Sequence, residues 1–199
     1  RANKDTEIIQ FIYDNDITDF YSWLIPKGNY LVVGSAILPD DNFNEKFSLT
    51  KSLKDDGILI VSADDRKLHA ESLKIKQKVM TFSIDNLSTV SATEIEFDTS
   101  LGIIFKLKYN DNKYSIKIEK VIGNQQIYPI IAAVTVGLAR GLIIDTIINS
   151  LKYHIAPKGR MNLISGINES IIIDDTYNSS PDALHEALIT LSKISTNGK

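Results

Sequence analysis

The chain has 199 residues, 43% of them hydrophobic, enough to bury a core in one large domain or one and a part. Its 22 basic and 25 acidic residues are scattered and leave a formal net charge of -3, so no face is marked out to follow a nucleic-acid backbone, and no nucleic-acid partner is expected. The absence of cysteine excludes a disulfide framework and any thiolate metal site, and it fits a reducing, cytoplasmic setting.

Three short apolar runs, residues 30–33, 57–61 and 78–82, alternate with helical spacing at 43–47 and 68–73, which predicts a parallel sheet with flanking helices. Residues 89–97, 102–109 and 114–121 then alternate apolar and polar with period two. Asn110-Asp111-Asn112 lies between the last two, so an antiparallel extension with a hairpin is expected. After Gly123 the period becomes helical: Ile127, Ile130, Ile131, Val134 and Leu138 share one face, and Gly141 is placed to stop the helix. A second helix is expected at about 143–153. The run 127–138 is interrupted by Pro129, Thr135 and Gly137 and is too short to cross a bilayer, so no membrane span is expected.

Pro157-Lys158-Gly159 breaks the chain, and a domain boundary is placed there. Beyond it come a strand at 161–164, a turn at Gly166 and an apolar strand at 170–173. A last helix follows, with Ser180 as N-cap, Pro181 at its first position and Asp182 complementing the dipole. The N-terminus carries neither Met nor the order of a signal peptide, and the expectation is that the chain starts inside a longer protein.

In open α/β sheets ligands sit beyond the carboxyl ends of the strands. Three predicted ends are polar: Gly34-Ser35, Ser62-Ala63-Asp64-Asp65, and Asp174-Asp175-Thr176-Tyr177-Asn178-Ser179-Ser180-Pro181. Paired carboxylates at the last can accept from ribose hydroxyls, while amides opening the next helix receive an anion. The plainer alternative is a strand-to-helix loop with a cap. For Asp64-Asp65 that plainer alternative is a helix N-terminus favoured by the dipole.

Pro157-Lys158-Gly159-Arg160-Met161 followed by Ile171-Ile172-Ile173-Asp174-Asp175-Thr176-Tyr177-Asn178-Ser179-Ser180-Pro181-Asp182-Ala183-Leu184 resembles the start of the C-terminal domain of Mur ligases. The Asp-Asp-x-Tyr-Asn-x-x-Pro-Asp form is most similar to the branch that joins D-alanyl-D-alanine to the UDP-muramoyl tripeptide. Upstream, 57–65 is similar to the family's apolar strand ending in Asn-x-Asp-Asp, and 123–133 to its Gly-x-His-Asn-x-x-Asn-x-x-Ala-Ala helix start. The order and spacing agree with the family from about Leu31 onward. The resemblance implies residues 1–156 as the later part of the central ATPase domain and 157–199 as the opening of a Rossmann-like C-terminal domain.

By the same resemblance, the intact parent is a cytoplasmic, monomeric ligase using ATP and magnesium, with a UDP-MurNAc-peptide and D-Ala-D-Ala as substrates. It forms an acyl phosphate that an amine then attacks. Lys46 aligns with the family lysine that is carbamylated and helps hold magnesium. Arg160 matches the hinge arginine, and Asp175 the acid on the ATP ribose, with Asp174, Tyr177 and Asn178 beside it. Asp64 and Gln126 fall at the nucleotide-binding positions of their motifs.

Several family features are missing or altered. No Gly-x-Gly-Lys-[Ser/Thr] string occurs to cradle ATP phosphates, so this chain alone is not expected to hydrolyse ATP. Ile37 stands at the position of a magnesium-binding histidine, Ser62 at an adenine-side Asn, and Gln125, Gln126 and Pro129 replace His, Asn and Asn. Glutamine keeps an amide, whereas proline offers no side-chain donor or acceptor. His69, His154 and His185 are too far apart in sequence to suggest a cluster, and Tyr21 and Trp23 read as packing residues. Two competing readings stand beside the first: another amide ligase of the superfamily, such as a folylpolyglutamate-type enzyme, and a non-catalytic descendant that binds nucleotide or a partner protein.

Overall fold

The computed structural model describes residues 10–12, 22–27, 30–35, 53, 55–84, 86–98, 102–177 and 180–194. They fall in two compact units, Arg1–Leu53 and Lys54–Lys199.

The first unit holds a three-stranded antiparallel sheet in the order β1 (Gln10–Ile12), β2 (Ser22–Lys27) and β3 (Tyr30–Ser35). Lys27 pairs with Tyr30. The intervening Gly28-Asn29 has the composition of a two-residue hairpin connection. The apolar run at 30–33 is therefore a strand, but the expectation that it joins a parallel sheet is corrected: its partner is the preceding strand, antiparallel. A short apolar run marks a strand without fixing its direction or its partner.

The second unit is built on a five-stranded mixed sheet in sequence order: β4 (Ile58–Ser62), β5 (Lys78–Ile84), β6 (Val90–Asp98), β7 (Gly102–Tyr109) and β8 (Asn112–Ile118). β4, β5 and β6 run parallel, and β7 and β8 extend the sheet antiparallel. The parallel step from β4 to β5 is carried by helix α1 (Arg66–Ser72). Tyr109 pairs with Asn112, which leaves Asn110 and Asp111 as the hairpin's central residues, with φ of 45° and 57°. Asn and Asp are the non-glycine types that best tolerate that region, and such turns match the twist of the strands. β6 carries a bulge between Thr93 and Glu96. β8 stops at Ile118, short of the predicted 121, and Val121 instead bridges Asn162.

Helix α2 (Asn124–Ala139) lies on this sheet. Its predicted face is the buried one: Ile127, Ile130, Ile131 and Val134 pack with Val90, Ala92, Ile103, Phe105, Leu107, Ile116 and Ile118 in one core, with Leu138 at its margin. Gly141 ends the helix at φ 77°; its N–H donates to Leu138 O at 2.9 Å and that of Leu142 to Gly137 O at 3.0 Å. This paired closure satisfies carbonyls that a helix end otherwise leaves open. Helix α3 (Ile144–Leu151) adds Ile147 to the core.

β9 (Asn162–Ser165) and β10 (Ile171–Asp174) form an antiparallel hairpin around a short 3-10 turn, Ile167–Glu169. Helix α4 (Pro181–Lys193) follows, and Ser180 Oγ accepts from Ala183 N at 3.1 Å as its cap. Buried Ile122, Met161 and Ile194 form a second small core. Much apolar surface remains open here: Ile171 and Ile172 on β10, and Leu184, Leu188 and Leu191 on α4, are all exposed. No helix among the described residues is long and apolar enough to cross a membrane.

Candidate functional site

Two polar clusters stand at strand ends of the second unit. The first joins the Gly159-Arg160-Met161 turn to the loop after β10. Gly159 adopts φ 74°, and a β-carbon there would lie 2.7 Å from Tyr177 N, so both the conformation and the close approach call for glycine. Gly159 O accepts from Tyr177 N at 3.0 Å, and Gly159 N donates to Asp174 Oδ2 at 3.2 Å. Met161 N donates to Asp175 Oδ1 at 3.2 Å. Asp174 Oδ1 also accepts from Thr176 Oγ1 at 2.7 Å and Thr176 N at 3.3 Å. The Thr176 hydroxyl is the main reason the Asp174 carboxyl is held below its ordinary pKa, backed by the Thr176 and Gly159 amides. The Arg160 guanidinium stacks 4.3 Å above the centre of the Tyr177 ring, while its backbone N donates to Asn162 Oδ1 at 3.1 Å.

The chemistry of this cluster suits a nucleoside phosphate. The Asp174 carboxyl is held in its charged form, and Asp175 Oδ2 has no protein donor among the described residues, leaving an acceptor for a hydroxyl. Arg160 supplies a permanent positive charge with planar donors. The Tyr177 ring is 69% exposed and offers an apolar face.

The second cluster gathers on Asp64, just past β4. Asp64 Oδ2 accepts from Ile84 N at 2.7 Å and from the Tyr128 hydroxyl at 2.9 Å, and Oδ1 accepts from Asn86 Nδ2. One carboxylate thus ties the ends of β4 and β5 to the first turns of α2. The Tyr128 phenol is pushed up to about 12, first by burial, then by its bond to Asp64 and that group's negative charge. The neighbouring Asp65 does something different: its Oδ1 accepts from Leu68 N at 2.9 Å and caps α1. The helix-terminus reading thus holds for Asp65, while Asp64 has partners far away in sequence. Gln126 is buried, with its N–H donating to Gly123 O at 3.1 Å. Gln125 Oε1 is buried without a hydrogen-bond partner among the described residues.

Of the residues singled out in the sequence, the fold brings Arg160, Asp174, Asp175 and Tyr177 into one network, and sets Asp64 and Gln126 at the strand ends and the start of α2. Lys46, Asn178 and Ile37 lie outside the described residues. Among the described residues no three of His, Asp or Glu come together to hold a metal ion. Sequence reasoning passed over Tyr128, Asn86 and Thr176. Thr176 had a local signal, a hydroxyl two residues after an Asp, where a side chain readily closes on the backbone. Asn86 and Tyr128 had none, because their shared acceptor is 22 and 64 residues away.

The sequence pattern described as the Mur ligase middle domain matches residues 40–137. A UDP-N-acetylmuramoyl-L-alanyl-D-glutamate–2,6-diaminopimelate ligase of Listeria innocua is 28% identical over 143 residues, covering 72% of this chain and 28% of the relative. A UDP-N-acetylmuramoyl-tripeptide–D-alanyl-D-alanine ligase of Mycobacterium bovis is 26% identical over 175 residues, covering 84% and 34%. Among solved structures, MurF of Acinetobacter baumannii superposes with a TM-score of 0.64 at 25% identity, covering 76% of this chain and 32% of that one. MurF of Thermotoga maritima, solved with ADP, gives 0.66 at 22% identity over 76% and 34%, a likeness of fold. The matched pattern, these relatives and these structures are all of Mur ligases, and the chain is similar to that family over most of its length. It spans about a third or less of the length of these relatives.

Proposed function

We propose that the chain is part of an ATP-dependent, amide-forming ligase of peptidoglycan precursor synthesis, acting in the cytoplasm as a monomer. In this reading residues 1–156 are the later part of the central domain and 157–199 the opening of the C-terminal one. The uncovered apolar side chains of β10 and α4 support that division, since a completed domain would bury them. The observation that carries the assignment is the hinge network, in which Asp174 and Asp175 grip the Gly159-Arg160-Met161 turn while keeping acceptors at its edge.

Within the proposed reaction Asp175 receives a ribose hydroxyl, and Asp174, through Gly159 and Thr176, keeps the turn in shape. Asn178, after Tyr177 in the sequence, is assigned to the same nucleotide by the loop's likeness to the family motif. Arg160 leaves the Tyr177 ring to meet phosphate, which exchanges a cation–π contact for a charge-assisted hydrogen bond. Gln126 serves the base, with Asp64 beside it. Magnesium, which supplies charge neutralisation on the transferring phosphoryl group, would rest on Lys46 as its carbamate. The precursor carboxylate takes the phosphoryl group, and the incoming amine displaces phosphate to make the amide.

The finer choice, D-Ala-D-Ala added to UDP-MurNAc-tripeptide, rests on the Asp-Asp-x-Tyr-Asn-x-x-Pro loop. Its test is phosphate release by the product of the complete coding sequence, supplied with ATP, UDP-MurNAc-tripeptide and one amine at a time. Release that requires D-Ala-D-Ala supports the reading, whereas release with diaminopimelate or L-alanine moves the protein to another branch. A second reading, a nucleotide-binding descendant without ligase activity, is favoured by Ser62 and Pro129. It predicts ADP binding with no release for any amine.

A further inference from the structure

Helix α2 opens without the supports that usually hold a first turn. Its N-cap is Gly123, so no side chain caps it, and no acidic residue stands in its first turn. Pro129 lies inside the helix and has no N–H to give the Gln125 carbonyl four residues before it. Yet this turn carries Gln125 and Gln126, both drawn into the protein. What it has instead is Tyr128, whose hydroxyl reaches Asp64 across the sheet end at 2.9 Å. Asp64 is in turn fixed by Ile84 N and Asn86 Nδ2. Three of the roughly four acceptor directions of that carboxylate are filled by the protein itself.

We propose that Asp64 and Tyr128 are positioning residues: their hydrogen bond anchors the first turns of α2 to the ends of β4 and β5, replacing the cap and the backbone bond that Gly123 and Pro129 deny the helix. The consequence for ligand binding rests on the nucleotide reading above. Gln125 and Gln126 present a fixed amide edge only while the anchor holds, so Asp64 acts on the base through α2 in addition to, or in place of, any contact of its own.

Hydrogen–deuterium exchange and ADP affinity on the 199-residue chain test this separately. Tyr128→Phe keeps the ring and deletes one hydroxyl. Amides of residues 126–128 and 130 should exchange about tenfold faster, as loss of one charge-assisted bond implies, while β7 and β8 keep their protection. Pro129→Ala in the Tyr128→Phe background restores a backbone donor and should recover most of that protection; Asp64→Ala should reproduce the Tyr128→Phe result. On the ligand side, Tyr128→Phe should weaken ADP three- to tenfold. Val134→Ala, at the far end of the same helix, should lower stability without changing ADP affinity, because a merely structural loss does not act on the base. Unchanged exchange at 126–128 and 130 in Tyr128→Phe overturns the anchor, and so does failure of Pro129→Ala to restore any protection. If the wild-type chain does not bind ADP, the nucleotide reading fails, and the exchange results still decide the anchor.

Discussion

Replacing Gly159 by Ala tests the turn that Asp174 and Asp175 hold, and Gly141 provides its control. The two glycines have nearly equal φ, 74° and 77°, so an added methyl meets the same backbone penalty at each, roughly 1–2 kcal/mol. Their surroundings differ. At Gly141 a β-carbon has nothing within 4 Å, and the backbone penalty is the whole cost. At Gly159 it would lie 2.7 Å from Tyr177 N, 3.1 Å from Tyr177 Cβ and 3.2 Å from Thr176 Oγ1. The first is a backbone atom and cannot swing aside, so the turn and the loop must separate. That separation breaks the Tyr177 N to Gly159 O bond and the Gly159 N to Asp174 bond, each worth roughly 1 kcal/mol or somewhat more where a carboxylate accepts. Gly141→Ala should therefore cost roughly 1–2 kcal/mol and Gly159→Ala roughly 3–4, read from urea midpoints at a common slope. Exchange at Tyr177 and Met161 should rise in the second variant alone. Equal destabilisation by the two, with Tyr177 still protected, would refute the contacts of the Gly159 turn as described.

Three further outcomes are expected. Tyr128 titrates at about 12 in the fold, above the ordinary phenol value, so its contribution to stability is complete below pH 10 and lost as pH rises through 12; Tyr128→Phe should flatten that part of the alkaline unfolding curve. Asp174 has the opposite sign: its carboxyl is held low, so its contribution is present above roughly pH 4 and lost in more acid solution, and Asp174→Asn should remove the acid-dependent rise in exchange at Gly159. Ser180→Ala removes the α4 cap and should cost roughly 1 kcal/mol, whereas Ser180→Asp should restore most of it, as measured by thermal unfolding.

Where the sequence was read correctly, the reason was local. The buried face of α2 follows from spacing within one helix, and the β7–β8 hairpin from two alternating runs separated by a turn composition. The α4 cap is a matter of three adjacent residues. β3 was misplaced because four apolar residues in a row carry no direction, and the strand that pairs with it, containing Trp23 and Pro26, showed no clean alternation. The site divides in the same way. Asp174 and Asp175 stood out as acids ending an apolar run, but that they would grip Gly159 and Met161 depends on a turn whose geometry no spacing reveals. Asp64 and Asp65 are neighbours with the same side chain, and only the three-dimensional fold shows that one caps a helix while the other ties two strands to a third element.

The bulge in β6 makes one position in that strand unlike the others. Before it the inward residues are the even-numbered Val90 and Ala92; after it they are the odd-numbered Ile95 and Phe97, both packed on the same core. The strand is one residue longer than its ladder with β7, and Glu94, exposed and at φ 52°, sits where the excess is absorbed. Deleting Glu94 would leave Val90, Ala92, Ile95 and Phe97 in unbroken alternation. Deleting a residue near either end of the strand would instead turn part of its apolar face outward. For this stretch of chain, then, a change of length is harmless or ruinous according to its reading frame, and kin that differ here by one residue are best aligned with the gap at position 94.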